Sequence, residues 1–507
     1  MDTYDLLIVG AGPAGLSAAI AARRYGANTI LVDDNLFPGG QLMKQTHKFF
    51  GSKEHYAGRR GMAIGRELLS EAEKSGCTVS LGTRVYTAVN KEGAFVAGCI
   101  RQGKSYFIKA GAVILATGAS ENSLAFPGWT LPGVITAGAA QTMVNLHRVL
   151  PGKRLLMVGA GNVGLIVAYQ MLQAGMEVAA LIEALPRVGG YEVHANKLKR
   201  AGVPILLSHT IVKAEGNGCV ETATIAEVDS SFNPAAGTAR ELKVDTVCLA
   251  VGLSPLYQLA RLMGAEIEYS REKGGYVLRC DRHMGTSVAG LFAAGDLAGI
   301  EEASIAIEEG KIAGLSSSVY LGKASEKEVS EVRDAALKNL AALRNERDLI
   351  PEPALERKAG RPGGSKKSSV QVMLDCTQQI PCNPCEAACP TGAIKIGSCI
   401  RSTPVVSQEL CSGCCSCVAA CPGLACFVAD HGYNETEASF AFAYEYHPLP
   451  VKGSEVEAVD RNGVFVCPAR VLEVRRHKDR TAVIRICVPR EKVMEVRGIN
   501  PGKVPVM

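Results

Sequence analysis

The sequence predicts an α/β chain built on two dinucleotide-binding units, followed by a small α+β cysteine-rich domain and a short β-rich domain. Three observations carry this prediction. A strand, glycine turn, helix and strand follow one another over residues 5–33; the same cycle recurs from Leu155; and 11 of the 18 cysteines crowd between Cys376 and Cys426. With 507 residues, at ~150 per domain, about three domains are expected. Hydrophobic residues at 47% and charged residues at 21% form a globular balance that excludes disorder of the whole chain. The net charge of +5, from 55 basic and 50 acidic side chains, is too small and too mixed to draw nucleic acid. No apolar run reaches the ~18 residues of a membrane span. The opening MDTYDLLIVGAG has neither a basic stretch nor a cleavage site, so no secretory signal is expected. A local cysteine cluster on such a chain points to metal in a reducing cytoplasm rather than to a disulfide scaffold.

The first cycle reads as a strand at 5–9, a turn at 10–15, a helix from about 16 to 25, and a strand at 29–32 that ends at Asp33. In such a turn Gly10 permits the tight bend, Gly12 lets the backbone approach a pyrophosphate, and Gly15 lets helix and strand pack closely. Pro13 and Ala14 lie where the helix opens, and its free N–H groups suit the pyrophosphate. Asp33 can accept hydrogen bonds from ribose hydroxyls. The second cycle runs from a strand at 155–158 through Gly159, Gly161, Asn162, Val163 and Gly164. A helix then reaches about 174, and a strand at 177–182 ends at Glu183. Glycines that merely serve a βα turn are the plain alternative; strand, helix and acid in place twice weigh against it.

Beyond the second cycle, Ser325 and Glu328 form a capping box. Val329, Val332, Ala336, Leu340 and Leu343 repeat at helical spacing as one apolar stripe. Residues 351–369 read as a basic linker rich in Gly, Ser and Pro. The segment Cys411-x2-Cys414-x2-Cys417-x3-Cys421-Pro422 then fits the bacterial ferredoxin spacing. An earlier run, Cys376-x5-Cys382-x2-Cys385-x3-Cys389-Pro390, keeps that pattern but lengthens the first gap, which makes Cys376 its weakest member. Soft thiolates at these spacings close around iron–sulfur cubes, with the fourth ligand of each borrowed from the other run. Cys376, Cys382, Cys385 and Cys421 would hold one [4Fe-4S] cluster, and Cys411, Cys414, Cys417 and Cys389 the other. Zinc is the alternative for paired CxxC motifs; the two Cys-Pro endings and eight phased cysteines favour iron–sulfur. Cys399, Cys415 and Cys426 fall out of phase and read as buried small hydrophobes. Runs at 464–466 and 481–488 alternate as strands do, and the basic bias after residue 470 reads as solvated surface.

The paired fingerprints resemble those of two-dinucleotide flavoproteins, specifically the thioredoxin-reductase-like branch. Further segments match it. Gly39, Gly40, Gln41 and Leu42 lie where that branch places its loop against the isoalloxazine. Residues 115–119, with Thr117 and Gly118, resemble its strand-to-turn segment between FAD and NAD portions. Residues 291–296, ending Gly295-Asp296, resemble its late FAD motif, whose Asp contacts the ribityl chain. Glu302, Ala303 and Ser304 open a helix that the family aims at the flavin pyrimidine edge, where a helix N-terminus stabilises negative charge. The resemblance covers residues 3–320 and implies an FAD domain at 1–120 and 256–324, with an NAD-binding Rossmann-like domain at 121–255 inserted. A helix and linker at 325–370, a two-cluster ferredoxin-like domain at 371–430 and a β-rich domain at 431–507 complete the expected organisation. Two departures matter. Residues 121–255 hold only Cys219 and Cys248, far apart, and residues 1–76 hold no cysteine. Without a thiol pair to take electrons from flavin, disulfide reduction is not expected. Glu183 would repel a 2′-phosphate, so NAD(H) is favoured over NADP, with Arg187 as the counter-argument.

FAD, NAD(H) and two [4Fe-4S] clusters on one chain imply traffic between hydride and single electrons. No HExxH or nucleophile elbow appears, so no catalytic residue is nominated. Residues 295–304 and the thiol-free insert also resemble the large subunits of amine dehydrogenases built from several different chains. That group takes in sarcosine oxidase alpha chains, hydrogen cyanide synthase B-type chains, and dye-linked proline, hydroxyproline and opine dehydrogenases. The resemblance implies a hetero-oligomer, whose partners would be an oxidase-like flavoprotein and a small iron–sulfur protein. The competing readings are a stand-alone NAD(P)H:ferredoxin-type oxidoreductase and a non-catalytic electron wire whose second fingerprint holds a structural nucleotide.

Overall fold

Continuous apolar runs make the central strands, because strands covered by helices on both faces need no polar alternation. In the computed structural model, which describes residues 1–344 and 369–504, Asp2–Val9 buries Leu6, Leu7 and Ile8 completely. This strand lies between Thr29–Asp33 and Lys104–Leu115, parallel to both, with Leu7 opposite Ile30 and Val113. Thr78–Leu81 extends the sheet beyond Thr29–Asp33, and Ala94–Arg101 and Thr83–Lys91 extend it antiparallel on the other side. Leu291–Ala293 returns late in the chain to pair in parallel with Lys104–Leu115.

The helix Pro13–Arg23 packs against Ala303–Tyr320. A Cβ at Gly310 would stand 2.1 Å from the carbonyl oxygen of Ala14, and one at Gly314 would stand 2.4 Å from that of Ala18. Only glycine permits this approach. The next helix, Glu326–Arg344, opens with the expected capping box: the Ser325 amide donates to the Glu328 carboxylate at 2.7 Å, and the Glu328 amide donates to Ser325 Oγ at 3.3 Å. Val329, Ala336, Leu340 and Leu343 are buried as expected, but Val332 is 43% exposed. Arg333 takes the buried place instead, in line with Val329 and Leu340 at 3.6 residues per turn. Its stem covers apolar surface while its guanidinium pairs with Glu326.

These elements belong to one unit: Met1–Thr46, Arg59–Asn122 and, of the described residues, 252–344. The second unit takes His47–Gly58, Ser123–Val251 and 369–504. The expected linker lies outside the described residues except for Ser369. The second unit has a five-stranded parallel sheet in the order Ile205–Leu207, Glu177–Glu183, Arg154–Val158, Thr246–Leu249, Val134–Thr136. A three-stranded antiparallel sheet, His209–Glu215, Thr222–Glu227 and Arg240–Lys243, adjoins it in sequence.

The cysteine segment has two short helices, Pro384–Ala387 and Ser416–Ala420, and a small hairpin between Ile394–Lys395 and Val405–Val406. Val370–Leu374 and Cys426–Asp430 flank it and pair antiparallel. These two strands begin a seven-stranded sheet that continues through Glu437–Tyr444, Ala482–Pro489, Phe465–Arg476, Glu455–Val459 and Gly498–Ile499. The sheet therefore runs across residue 430, over a core that includes Phe427, Phe440, Ile484 and Ile486. Among the described residues no helix is long and apolar enough to cross a membrane.

Candidate functional site

The two glycine turns have the same geometry. Gly10 has φ 111°, and a Cβ there would stand 2.2 Å from the Ala116 carbonyl oxygen; Gly159 has φ 107°, and its Cβ would stand 2.3 Å from that of Ala250. A Cβ on Gly15 would meet the Gly10 oxygen at 1.8 Å, and one on Gly164 the Gly159 oxygen at 2.0 Å. At Gly12 and Gly161 nothing lies within 4 Å. The first and third glycines are thus required by the protein itself, whereas the second leaves open space at the helix N-terminus, the cradle that a pyrophosphate needs. The helices open at Pro13 and at Asn162, with Ala14 buried and Val163 exposed beside them.

The strand-end acids also repeat. Asp33 Oδ2 accepts the Ala11 amide at 2.6 Å, and Glu183 Oε2 accepts the Ala160 amide at 2.7 Å. Each acid therefore ties down its own turn, a role additional to any ribose contact. The sequence reading missed a further repeat. A Gly-Gly pair stands six residues beyond each acid, and the Gly39 and Gly190 amides donate to the Ala11 and Ala160 carbonyls at 2.7 and 2.9 Å. The doubled glycine at 189–190 was the available signal.

Around the first turn the remaining expected residues gather. A Cβ on Gly40 would stand 2.9 Å from Gly12 Cα, and one on Gly295 would stand 3.1 Å from Ala14 Cβ. Gln41 is exposed and Leu42 is buried in the short helix Gly40–Lys44. Thr117 Oγ1 donates to the Leu256 carbonyl at 3.1 Å, and the Gly118 carbonyl accepts the Leu256 amide at 3.0 Å. Glu302 stands at the N-cap position of the long helix that begins at Ala303, with no side-chain capping bond. Burial raises the Asp296 carboxyl to about 6 and the Glu309 carboxyl to about 7; Arg344 opposes the latter shift, and Glu309 accepts the Gly295 amide at 2.7 Å. Beside the second turn, Asn162 Oδ1 accepts the Tyr191 amide at 2.8 Å, and Arg187 is exposed.

Residues 4–310 match the family described as pyridine nucleotide-disulphide oxidoreductase. The chain belongs to that family. It is an oxidoreductase of the FAD/NAD type, and FAD and NAD(P) binding follow from the family. An opine oxidase subunit of Agrobacterium tumefaciens (strain Ach5) is 31% identical over 334 residues, a match covering 62% of this chain and 65% of that protein's length. Hydrogen cyanide synthase subunit HcnB of Pseudomonas aeruginosa is 30% identical over 356 residues, covering 67% and 76%. T. acidophilum thioredoxin reductase shares the fold at a TM-score of 0.53 with 22% identity, over 63% of this chain and 98% of that one. In this pyridine nucleotide-disulphide oxidoreductase the matched region has no disulfide-forming thiol pair: none of Cys77, Cys99, Cys219, Cys248 and Cys280 is in a disulfide. Burial pushes the thiols of Cys77 and Cys280 up to about 12 and that of Cys99 to about 11, so these three are poor nucleophiles.

The cysteine segment lies beyond the family match. Its thiols form two electrostatic neighbourhoods that overlap at Cys417, which feels both Cys414 and Cys421. Burial raises Cys376 to about 12 and pushes Cys382 well above the ordinary thiol value, and both feel the charges of Cys421 and Cys385. Cys411 is raised by burial and feels Cys417, Cys414 and Cys389. A cavity of about 480 Å³, open mouth included, is lined by Cys376, Cys382, Cys385, Cys421 and Cys426 with Phe50, Ile380 and Ile396. Cys414 is exposed. At Cys389 and Cys414 the upward push of burial is outweighed by hydrogen bonds, led by the Thr391 and Ser416 hydroxyls.

Cys415 and Cys426 are buried, as expected, while Cys399 is half-buried. Cys426 does more than fill space: the neighbouring thiols of Cys385, Cys417 and Cys421, together with burial, push its own thiol well up. Among the described residues no three His, Cys, Asp or Glu side chains converge closely enough to hold one metal ion. Residues 47–58 brace the segment. Gly51 bridges Cys382, its amide donating to the Pro381 carbonyl at 2.7 Å, and buried Lys48 donates to the Ala419 carbonyl.

Proposed function

We propose that this chain is the electron-transferring large subunit of an amino- or imino-acid dehydrogenase complex of the proline, hydroxyproline, sarcosine or opine type. FAD would sit at the turn of Gly10, Gly12 and Gly15, with Asp33, Gly40, Thr117, Gly118, Gly295 and Asp296 around it. NAD(H) would sit at Gly159, Gly161 and Gly164. Two [4Fe-4S] clusters, each a one-electron carrier when bound, would be held by Cys376, Cys382, Cys385 and Cys421 and by Cys389, Cys411, Cys414 and Cys417.

The observation that carries this reading is a cavity shared by four thiols from both runs, Cys421 joining Cys376, Cys382 and Cys385. Soft thiolates from two runs with ferredoxin-like spacing, set around one cavity, suit an iron–sulfur cube. The chain's own residues do the holding: the apolar lining excludes water, and the backbone at Gly51 fixes the loop of Cys382. The relatives are named as subunits, which supports a partner that oxidises the substrate.

The test is anaerobic purification with and without an oxidase-like flavoprotein partner. Alone, the chain should contain about eight irons and as many sulfides, reduce dyes with NADH, and leave proline, hydroxyproline, sarcosine and opines untouched. Adding the partner should create that oxidation, and Cys414→Ser should spoil transfer without stopping reduction of the partner's flavin. Stoichiometric zinc without acid-labile sulfide, or amino-acid oxidation by the isolated chain, would overturn the reading.

A further inference from the structure

Lys197 has no part in either nucleotide turn, yet it is only 3% exposed. It sits on the helix Glu192–Arg200, and its Nζ donates to the carbonyl of Pro422 at 2.7 Å, one residue beyond Cys421. Arg200, one turn further on, donates to the Leu424 carbonyl at 3.1 Å. Both cations therefore face the loop that carries Cys421. Their neighbours do not supply the same charge. His194, a turn earlier, is buried, and its basicity is pushed well down by that burial and by Lys197 and His47. Lys48 reaches the Ala419 carbonyl but is paired with Asp479. Lys197 Nζ also lies 5.2 Å from the centre of the Tyr169 ring, which helps to hold the cation in place behind Cys421.

We propose that Lys197, supported by Arg200, is a positioning residue that raises the reduction potential of the cluster held by Cys376, Cys382, Cys385 and Cys421. This rests on the cluster assignment above. Reduction of that cluster adds one electron, and so one negative charge, with no bond made or broken. An apolar cavity resists the added charge and lowers the potential; a fixed cation behind Cys421 offsets that resistance. The group at Cys389, Cys411, Cys414 and Cys417, with Cys414 at the surface, is not served by this pair.

The experiment is a dithionite titration of the full chain, followed by electron paramagnetic resonance, on wild type, Lys197→Met, Lys197→Gln and Lys197→Arg. Gln keeps a donor for the Pro422 carbonyl while removing the charge. In the Met and Gln variants one midpoint should fall by about tenfold in the reduction equilibrium, about 59 mV for one electron. The other midpoint should stay in place, and Arg should restore the first. The signal that moves should be the one that survives Cys414→Ser. Unchanged midpoints in Met and Gln variants with full iron and sulfide would overturn the inference and leave the cluster reading standing. Loss of clusters in both variants would make Lys197 structural and overturn it as well. A wild-type chain without acid-labile sulfide would overturn the cluster reading, and the inference with it.

Discussion

The turns at Gly10–Gly15 and Gly159–Gly164 agree in backbone angle, in forbidden Cβ positions and in the acid that ties each one down, yet they are set in different surroundings. The first is closed in by Gly295, by the half-buried Asp296 and by the helix that begins at Ala303, and its Asp33 is buried. Beside the second, Glu183 is half-buried, Val163 is exposed, and the next helix turns its cations toward the cysteine segment. Identical turn chemistry thus leaves the duty of each turn open. What the tertiary structure places opposite it decides whether it holds a cofactor permanently or admits one that exchanges.

The sharpest way to break this comparison is to put a methyl group where both turns forbid it. Gly10→Ala and Gly159→Ala each combine a left-handed φ with a backbone collision, and each should cost more than about 3 kcal/mol. Denaturant unfolding followed by flavin retention should show Gly10→Ala losing FAD. A variant of either turn with wild-type stability would refute the shared geometry.

Asp296 follows Gly295, whose Cβ position faces Ala14 of the first turn's helix. Its folded value of about 6 lies above the ordinary 3.8, so the folded protein holds the proton more tightly than the unfolded chain. Stability therefore falls as pH rises from about 3.8 to 6 and stays lowered above that. In cofactor-free protein Asp296→Asn should raise stability at pH 7.5 by up to about 3 kcal/mol, with the gain vanishing near pH 3.5. Melting temperatures at the two pH values measure this, and an equal effect at both would refute it.

The two acids should differ less. Removing a buried acceptor costs about 1–3 kcal/mol, so Asp33→Ala should be nearer the upper end and Glu183→Ala nearer the lower. Glu183→Ala should also weaken NADH use and narrow its advantage over NADPH in steady-state kinetics. A tenfold preference of the wild type for NADPH would mean that Arg187 governs the choice. The smallest stability effect belongs to Gly12→Ala and Gly161→Ala, where nothing meets the new methyl. Each should alter stability by less than about 1 kcal/mol while weakening nucleotide binding at its own turn, which calorimetry with FAD or NADH would separate.

What the sequence determined by itself is local and periodic. Gly-x-Gly-x-x-Gly between an apolar strand and a helix leaves few backbone solutions, so both turns and the ends of their strands were legible. Ser325 and Glu328 were legible because a capping box closes within one helical turn. The cysteine spacings set Cys376, Cys382 and Cys385 in one short run, and these three line one cavity with Cys421. Side chains that depend on distant partners were not legible. Val332 and Arg333 fit the same stripe by spacing, and only the neighbouring surface and Glu326 put the arginine inside. Nothing near Lys48 or Gly51 in the chain announces that 47–58 joins the second unit and braces the loop of Cys382. Cys426 read as filler until folding brought it between Cys385, Cys417 and Cys421. Nothing near Lys197 in the chain announces that its ammonium meets the Pro422 carbonyl. Periodicity encodes which face of an element is apolar, but the charge that meets a buried atom from far along the chain is decided only when the elements pack.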